Sequence, residues 1–107
     1  MPIVITDIKR ADAQAVAALG TYGVAAVHEA QGRVGLMAPR LRPIFAGPAI
    51  SGTAVTVLVP PGDNWMIHVA AEQCQPGDIM VVSPITACDS GYFGDLLGTL
   101  FKARGVK

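Results

Sequence analysis

The segment from Gly91 to Leu97 (GYFGDLL) combines residue types suited to binding a small anion together with a metal ion. The segment contains two glycines, and the helical spacing of the apolar residues after them predicts a helix beginning at Asp95 or Leu96. Free backbone N–H groups and the positive end of the helix dipole make a helix start an anion site. A carboxylate at the same place can hold a hydrated divalent cation. Anion and metal sites together would allow a small 2-oxo acid to be converted into an enolate.

The pattern at Asp95 also fits an ordinary helix start, in which the carboxylate is merely favourable near the dipole. Asn64, His68 and Glu72 are spaced i, i+4, i+8 and share one face of a further predicted helix. His68 and Glu72 could bind a metal, but we favour a solvated stripe with a mild His–Glu pair. The amide of Asn64 could cap the helix or reach a substrate carboxylate, and the sequence leaves both open.

A third polar group, His28-Glu29 near Arg33, could form a proton relay, although we favour a surface or interface pair. Around these groups the hydrophobic periodicity alternates between helix and strand. The first two predicted helices are residues 11–19 and 24–31. A third is capped by Asp63 or Asn64 and runs to about residue 74, and the last begins at Asp95 or Leu96 and runs to residue 104. The predicted strands are residues 51–59 and 79–83 and one beginning at Val106, with an irregular loop over 32–48 and a turn over 75–78.

This order of elements predicts an α/β fold with a parallel sheet. The strand at 79–83 is apolar throughout, so we expect it to be buried on both faces. A sheet of this kind needs the further strand that begins at Val106, because an unpaired edge would otherwise be exposed. We therefore expect residues 1–107 to be the N-terminal part of a single domain, without an internal boundary.

The composition narrows the function classes. Eight basic and eight acidic residues cancel, and without a basic stripe the sequence argues against nucleic acid as a partner. No run of 18 apolar residues exists, so no membrane span is expected. The apolar fraction of 51% is high for 107 residues and predicts a substantial subunit interface or further chain. Cys74 and Cys88 lack a metal-binding spacing and are expected to be free thiols in a reducing cytoplasm.

Several short motifs together resemble one family, the bacterial 4-hydroxy-4-methyl-2-oxoglutarate / 4-carboxy-4-hydroxy-2-oxoadipate aldolases. The wider family also contains the regulator of ribonuclease activity A. The resemblance covers nearly all of the chain, and the motifs are specific only in combination. They are His28-Glu29-Ala30, Gly32-Arg33-Val34-Gly35, Asn64-Trp65-Met66, His68-Val69-Ala70-Ala71-Glu72-Gln73, Gln75-Pro76-Gly77-Asp78, Gly91-Tyr92-Phe93-Gly94-Asp95-Leu96-Leu97 and Ala103-Arg104-Gly105.

The resemblance implies a three-layer β/β/α swivelling-domain fold, assembled as trimers or hexamers with sites between subunits. It implies a class II aldolase that uses Mg²⁺ or Mn²⁺ and splits 4-carboxy-4-hydroxy-2-oxoadipate into pyruvate and oxaloacetate, late in protocatechuate and gallate breakdown. Decarboxylation of oxaloacetate through the same pyruvate enolate is implied as a side activity. A non-catalytic binding protein, related to the ribonuclease regulator, is the alternative.

The resemblance also implies roles for individual residues. Backbone N–H groups at Gly94-Asp95-Leu96-Leu97, chiefly those of Leu96 and Leu97, would hold the pyruvyl carboxylate. Asp95 would anchor a metal-bound water and help to move the proton, and Asn64 would be an accessory contact. The family's direct aspartate ligand, an arginine and a glutamate from a neighbouring subunit fall beyond Lys107. We therefore expect the 107-residue chain alone to be inactive, with the C-terminal half following or supplied as a separate chain.

Overall fold

The computed structural model describes residues 1–47 and 49–107. None of the helices in these residues is long and apolar enough to cross a membrane. The chain divides into two compact units, Ala11–Ser51 and Met1–Arg10 with Gly52–Lys107. The elements in chain order are α1 (Ala13–Leu19), α2 (Val24–Ala30), β1 (Ala54–Val59), α3 (Trp65–Gln73), β2 (Ile79–Pro84) and α4 (Asp95–Ala103).

The unit Ala11–Ser51 contains α1 and α2, which confirms both helices predicted there. The carboxylate of Asp12 accepts the Ala15 N–H at 2.9 Å and so caps α1, which ends at Gly20. After α2 the chain passes Gly32, whose φ of +79° is in the left-handed region that favours glycine. The remaining described residues of the predicted irregular loop contain no helix or strand, and its last position, 48, lies outside the described residues.

The other unit is built on a strand–helix–strand–helix sequence. β1 and β2 pair in parallel, in a register that runs from Ala54 opposite Ile79 to Val59 opposite Pro84. Parallel strands need a crossover connection, and α3 supplies it. The predicted α/β fold with a parallel sheet is therefore confirmed, and each predicted strand and helix of this unit up to α4 exists within a few residues of its expected bounds.

The hydrophobic core of this unit lies between one face of β1 and the two helices. Alternate residues of β1 are buried, as a strand with one covered face requires. Helix α4 contributes Leu97 to this core, and the residue is only 2% exposed. Burial of a leucine side chain contributes about 1.5–3 kcal/mol to stability. The core therefore fixes the first turn of α4 from beneath. Its buried members are Val55, Val57, Val59, Ile67, Ala70, Ala71, Cys74, Leu97 and Phe101.

The expectation that the second strand is buried on both faces is wrong. Ile79, Met80 and Val81 are half-buried, and Val82 and Ser83 are exposed. The reason is that α3 packs against β1, and that β2 pairs with one strand, β1, in the part of the chain described. A continuous apolar run indicates that both faces of a strand require burial, but it does not show which element packs against each face.

The predicted turn at residues 75–78 is confirmed and holds an ion pair between the buried Asp78 and the half-buried Arg10. The Asp78 N–H donates to the Gln75 carbonyl at 3.1 Å, and Gly77 has a φ of +91°, as a type II turn requires. The carboxylate of Asp78, a residue 2% exposed, accepts the Gln75 N–H at 2.7 Å and the Arg10 Nη2–H at 2.7 Å. Arg10 Nη2 also donates to the Gln73 carbonyl at 2.8 Å. This network ties the N-terminal segment to the turn before β2.

The end of α4 meets the same turn. Gly105 follows the helix with a φ of +71°, and its carbonyl accepts the Gly77 N–H at 2.8 Å. The Lys107 N–H donates to the Asp78 carbonyl at 2.9 Å. Val106, which was expected to begin a strand, is not in one among the described residues, because these contacts reach only the turn that precedes β2.

Gly52 is required by close packing against the turn before β2. A Cβ atom at this position would lie 2.3 Å from the Gly77 carbonyl oxygen, which is backbone and cannot turn aside. We expect Gly52→Ala to lower the free energy of unfolding by about 1–3 kcal/mol through overpacking. Gly91→Ala is the matched control, because a Cβ there meets nothing within 4 Å. Equal urea midpoints for the two variants would contradict this account.

Candidate functional site

Two loops meet at one edge of the parallel sheet. Residues 60–64 leave the carboxyl end of β1, and residues 85–94 leave the carboxyl end of β2. In open α/β sheets, ligands bind outside the carboxyl ends of the strands. The side-chain amide of Asn64 donates to the Tyr92 carbonyl at 3.2 Å, which joins the two loops directly. The sheet therefore brings Asn64 into the same region as the segment that enters α4.

The start of α4 has the geometry of an anion site. The helix begins at Asp95, as predicted, and Gly94 precedes it in an extended conformation with no capping side chain. The Gly94 carbonyl accepts the Gly98 N–H at 3.0 Å, so the N–H groups of the first turn have no carbonyl partner within the helix. A Cβ atom at Gly94 would meet nothing within 4 Å, so the space beside Gly94 itself is open.

The carboxylate of Asp95 occupies one of these donors. Its Oδ1 accepts the Leu96 N–H at 3.0 Å, and Asp95 itself is exposed. The side chain of Leu96 is 78% exposed, whereas that of Leu97 is buried in the core. The helix start is thus anchored by Leu97, while Asp95 and Leu96 remain exposed. A ligand carboxylate that took the Leu96 N–H would release Asp95 for another partner.

Asn64 does not cap α3, so that interpretation is wrong. Asn64 stands at the N-cap position without a capping hydrogen bond, and the Trp65 N–H donates instead to Asp63 Oδ1 at 2.8 Å. The amide of Asn64 is used for the Tyr92 carbonyl. Because Asp63 supplies the helix cap, Asn64 is available to hold the neighbouring loop. Its contact with a substrate stays a prediction.

The other polar groups do not form a metal centre with Asp95. No group of three His, Cys, Asp or Glu side chains able to hold a metal ion occurs in residues 1–47 and 49–107. His68 is half-buried and Glu72 is exposed, as a helix stripe would be. Glu29 forms an exposed ion pair with Arg33 at 3.1 Å, which supports the surface pair over a proton relay.

A family comparison defines the wider relationship. The sequence model of the RraA-like family, described as Aldolase/RraA, matches residues 7–107. The chain belongs to the RraA-like family. This family includes both aldolases of the 4-hydroxy-4-methyl-2-oxoglutarate / 4-carboxy-4-hydroxy-2-oxoadipate type and non-catalytic regulators. The match extends over the whole candidate site of this RraA-like chain.

Tyr92 is the residue of this RraA-like site that sequence reasoning missed. Its hydroxyl accepts the Gly62 N–H at 3.1 Å and lies 3.3 Å from the Pro60 carbonyl and 2.8 Å from Cys88 Sγ. The sequence offered only a weak signal, an aromatic residue beside two glycines, because its partners lie up to 32 residues away. Tyr92 connects the two loops through both its side chain and its carbonyl.

The contact with Tyr92 changes the acidity of Cys88. The hydrogen bond to Tyr92 lowers the pKa of the Cys88 thiol, because the phenol can donate to the thiolate. The same contact raises the pKa of Tyr92, because ionising the phenol would remove that donor. Burial raises the pKa of Cys74, whose Sγ lies 3.5 Å from the Ala70 carbonyl. The two thiols therefore differ in reactivity.

We expect Tyr92→Phe to slow the alkylation of Cys88 by iodoacetamide several-fold at about pH 8, where an ordinary thiol is only partly ionised. The folded wild-type pKa is lowered, so more thiolate is present at that pH, and the variant loses this gain. The measurement is the pH profile of adduct formation, read by mass spectrometry of the Cys88 peptide. Tyr22→Phe, at an exposed tyrosine, is the control. An unchanged profile for Tyr92→Phe would contradict the assignment.

Proposed function

We propose that this RraA-like protein is a divalent-metal-dependent pyruvate aldolase. The proposed reaction is retro-aldol cleavage of 4-carboxy-4-hydroxy-2-oxoadipate to pyruvate and oxaloacetate, with decarboxylation of oxaloacetate as a side activity. The observation that carries the proposal is the start of α4, where backbone N–H groups without a carbonyl partner in the helix lie beside the exposed carboxylate of Asp95. Family membership supports it, because the RraA-like family includes aldolases of this type.

The proposed roles follow from the hydrogen bonds of the first turn. The pyruvyl carboxylate of the substrate would bind the N–H groups of Leu96 and Leu97, where the helix dipole favours negative charge. Binding would displace Asp95 Oδ1 from the Leu96 N–H. The released carboxylate could then hold a water molecule and take or return the proton during cleavage. Asn64 would support the carboxylate from the neighbouring loop.

The residues present fit an outer contact to a metal ion. Mg²⁺ retains several waters and takes only one or two carboxylates, so the single exposed carboxylate of Asp95 suits a contact through water. When bound, Mg²⁺ or Mn²⁺ would supply Lewis-acid stabilisation of negative charge on the 2-keto oxygen. In the proposed mechanism the direct aspartate ligand lies outside residues 1–107, as the family resemblance implies. We also propose a trimer or hexamer with sites between subunits, located in the cytoplasm.

The test is pyruvate formation by the full-length protein, followed by lactate dehydrogenase and NADH. We expect turnover of both 4-carboxy-4-hydroxy-2-oxoadipate and oxaloacetate with Mg²⁺ or Mn²⁺, and loss of turnover when EDTA removes the metal. Residues 1–107 alone should be inactive under the same conditions. Absence of metal-dependent pyruvate release by the full-length protein would refute the proposed function.

The second candidate is a binding protein that inhibits a ribonuclease by contact. The observation in its favour is the family itself, which includes non-catalytic regulators. A pure regulator has no need of a carboxylate at an open helix start, so the α4 site argues against it. Oxalate, a dianion that mimics the enolate, separates the two. Tight Mn²⁺-dependent oxalate binding by the full-length protein favours the aldolase, and its absence favours the regulator.

A further inference from the structure

We propose that Tyr92 is a positioning residue of the α4 site: by fixing residues 60–64 against the segment that enters α4, it sets where the Leu96 and Leu97 N–H groups point. This inference rests on the proposed function, because it concerns the same anion site. Tyr92 would not touch the substrate. It would act through the backbone of Phe93 and Gly94, the two residues between it and the helix.

The hydrogen bonds of Tyr92 reach both ends of the loop after β1. The hydroxyl accepts the Gly62 N–H and lies within bonding distance of the Pro60 carbonyl, while the main-chain carbonyl accepts the Asn64 amide. Gly62 has a φ of +76°, so the loop makes its turn at a residue with no side chain of its own to hold it. Removing the Tyr92 hydroxyl would leave the Gly62 N–H without this acceptor. Tyr92 therefore determines the loop conformation from outside the loop.

The same residue constrains the entrance to α4. After Tyr92, the Phe93 ring packs on Phe101 with 5.6 Å between ring centroids, and it also lies against Gly98. Phe101 is part of the core. Gly94 lies between Phe93 and the start of the helix, and a Cβ atom there would meet nothing within 4 Å. The direction of the first turn is thus fixed on one side by Leu97 and on the other by Tyr92 and Phe93.

The test is the steady-state kinetics of Tyr92→Phe in the full-length protein, with Tyr22→Phe as the matched control. The N–H groups would hold the substrate carboxylate in the ground state and transition state alike, so their displacement should appear in KM. Loss of the hydroxyl contacts is expected to raise KM and the inhibition constant of oxalate about tenfold, with kcat changed less than about threefold. Tyr22→Phe should match the wild type.

A change in KM without a comparable change in kcat distinguishes a residue that positions the site from one that only stabilises the fold. A tyrosine that only stabilised the fold would reduce the fraction of active protein, which lowers kcat and leaves KM unchanged. Such a result, or wild-type values for both constants, would overturn the proposal. Failure of the proposed function is visible separately, as a wild-type protein that releases no pyruvate with Mg²⁺ or Mn²⁺. Oxalate affinity would then decide the role of Tyr92, and a wild type that binds no oxalate would overturn positioning as well.

A second perturbation acts on protein that is already folded, in case Tyr92→Phe does not fold. Carboxamidomethylation of Cys88, whose Sγ lies 2.8 Å from the Tyr92 hydroxyl, would place a bulky group against that hydroxyl. We expect the treatment to raise KM in the wild type. Cys88→Ser, which cannot be alkylated there, should keep its KM after the same treatment. Equal KM values for treated and untreated wild type would count against the proposal.

Discussion

Asp95→Asn is expected to lower metal-dependent pyruvate formation by the full-length protein at least about 10²-fold, the size of a lost general acid–base contribution. Asparagine has nearly the same shape and can still accept the Leu96 N–H, so the helix start should persist. It cannot carry the negative charge or take up the proton that the proposed mechanism assigns to this side chain. The measurement is kcat and kcat/KM in the coupled assay, with circular dichroism to verify the fold.

Glu72→Gln is the matched control for this change, because Glu72 is also an exposed carboxylate on a helix of the same unit. It tests in addition the alternative that His68 and Glu72 bind the metal. We expect turnover within about twofold of the wild type, since an exposed residue away from the reacting atoms has little influence. Wild-type activity of Asp95→Asn, or a large loss in Glu72→Gln, would place the metal contact elsewhere.

Asp78→Asn is expected to have the largest effect on stability, a loss of about 2–3 kcal/mol in the free energy of unfolding. The Asp78 carboxylate accepts hydrogen bonds from Arg10 and the Gln75 N–H while almost fully buried, and a neutral amide cannot replace all of these. We place the loss below that of a fully buried pair because Arg10 can turn towards water. Urea unfolding at neutral pH measures the change.

The matched control for Asp78→Asn is Glu29→Gln, which breaks the exposed pair with Arg33 and should cost less than about 0.5 kcal/mol. The pH dependence gives a second readout. The guanidinium of Arg10 holds the pKa of Asp78 below its ordinary value of 3.8, so the unfolded chain binds the proton first as the pH falls. This stabilisation is present above about pH 4 and is lost as the pH falls through the folded pKa. A wild type and an Asp78→Asn variant with equal stability at neutral pH would contradict the assignment.

Local signals were sufficient to predict most of the helices and strands, including the start of α4. The start of α4 depends on Gly94, Asp95 and the apolar spacing after them, which are neighbours in the sequence. Gly105 is also adjacent to the helix that it ends. Interactions between residues that are close in the sequence depend on local backbone conformation and on helix periodicity. A single sequence is therefore enough to predict where such a helix begins and ends.

Interactions between distant residues could not be predicted in the same way. Arg10 and Asp78 are 68 positions apart, and nothing in the composition pairs this arginine with this aspartate. The contacts of Tyr92 depend equally on how the two loops meet at the end of the sheet. The expectation that β2 is buried on both faces was wrong for the same reason, because the burial of a strand depends on which elements pack against it. The Asp63 cap was one of two neighbouring options, and only the structure separates them.

Oxalate binding followed at the backbone amides shows whether the first turn of α4 binds the carboxylate of a small 2-oxo acid. Because the two donors are consecutive leucines, ¹⁵N-leucine labelling of the full-length protein reports on both at once. With Mg²⁺ present, oxalate should shift the Leu96 and Leu97 amide resonances most, and Asp95→Asn should weaken this response. Oxalate binding that leaves both resonances unmoved, or that moves only those of other leucines, would contradict the account.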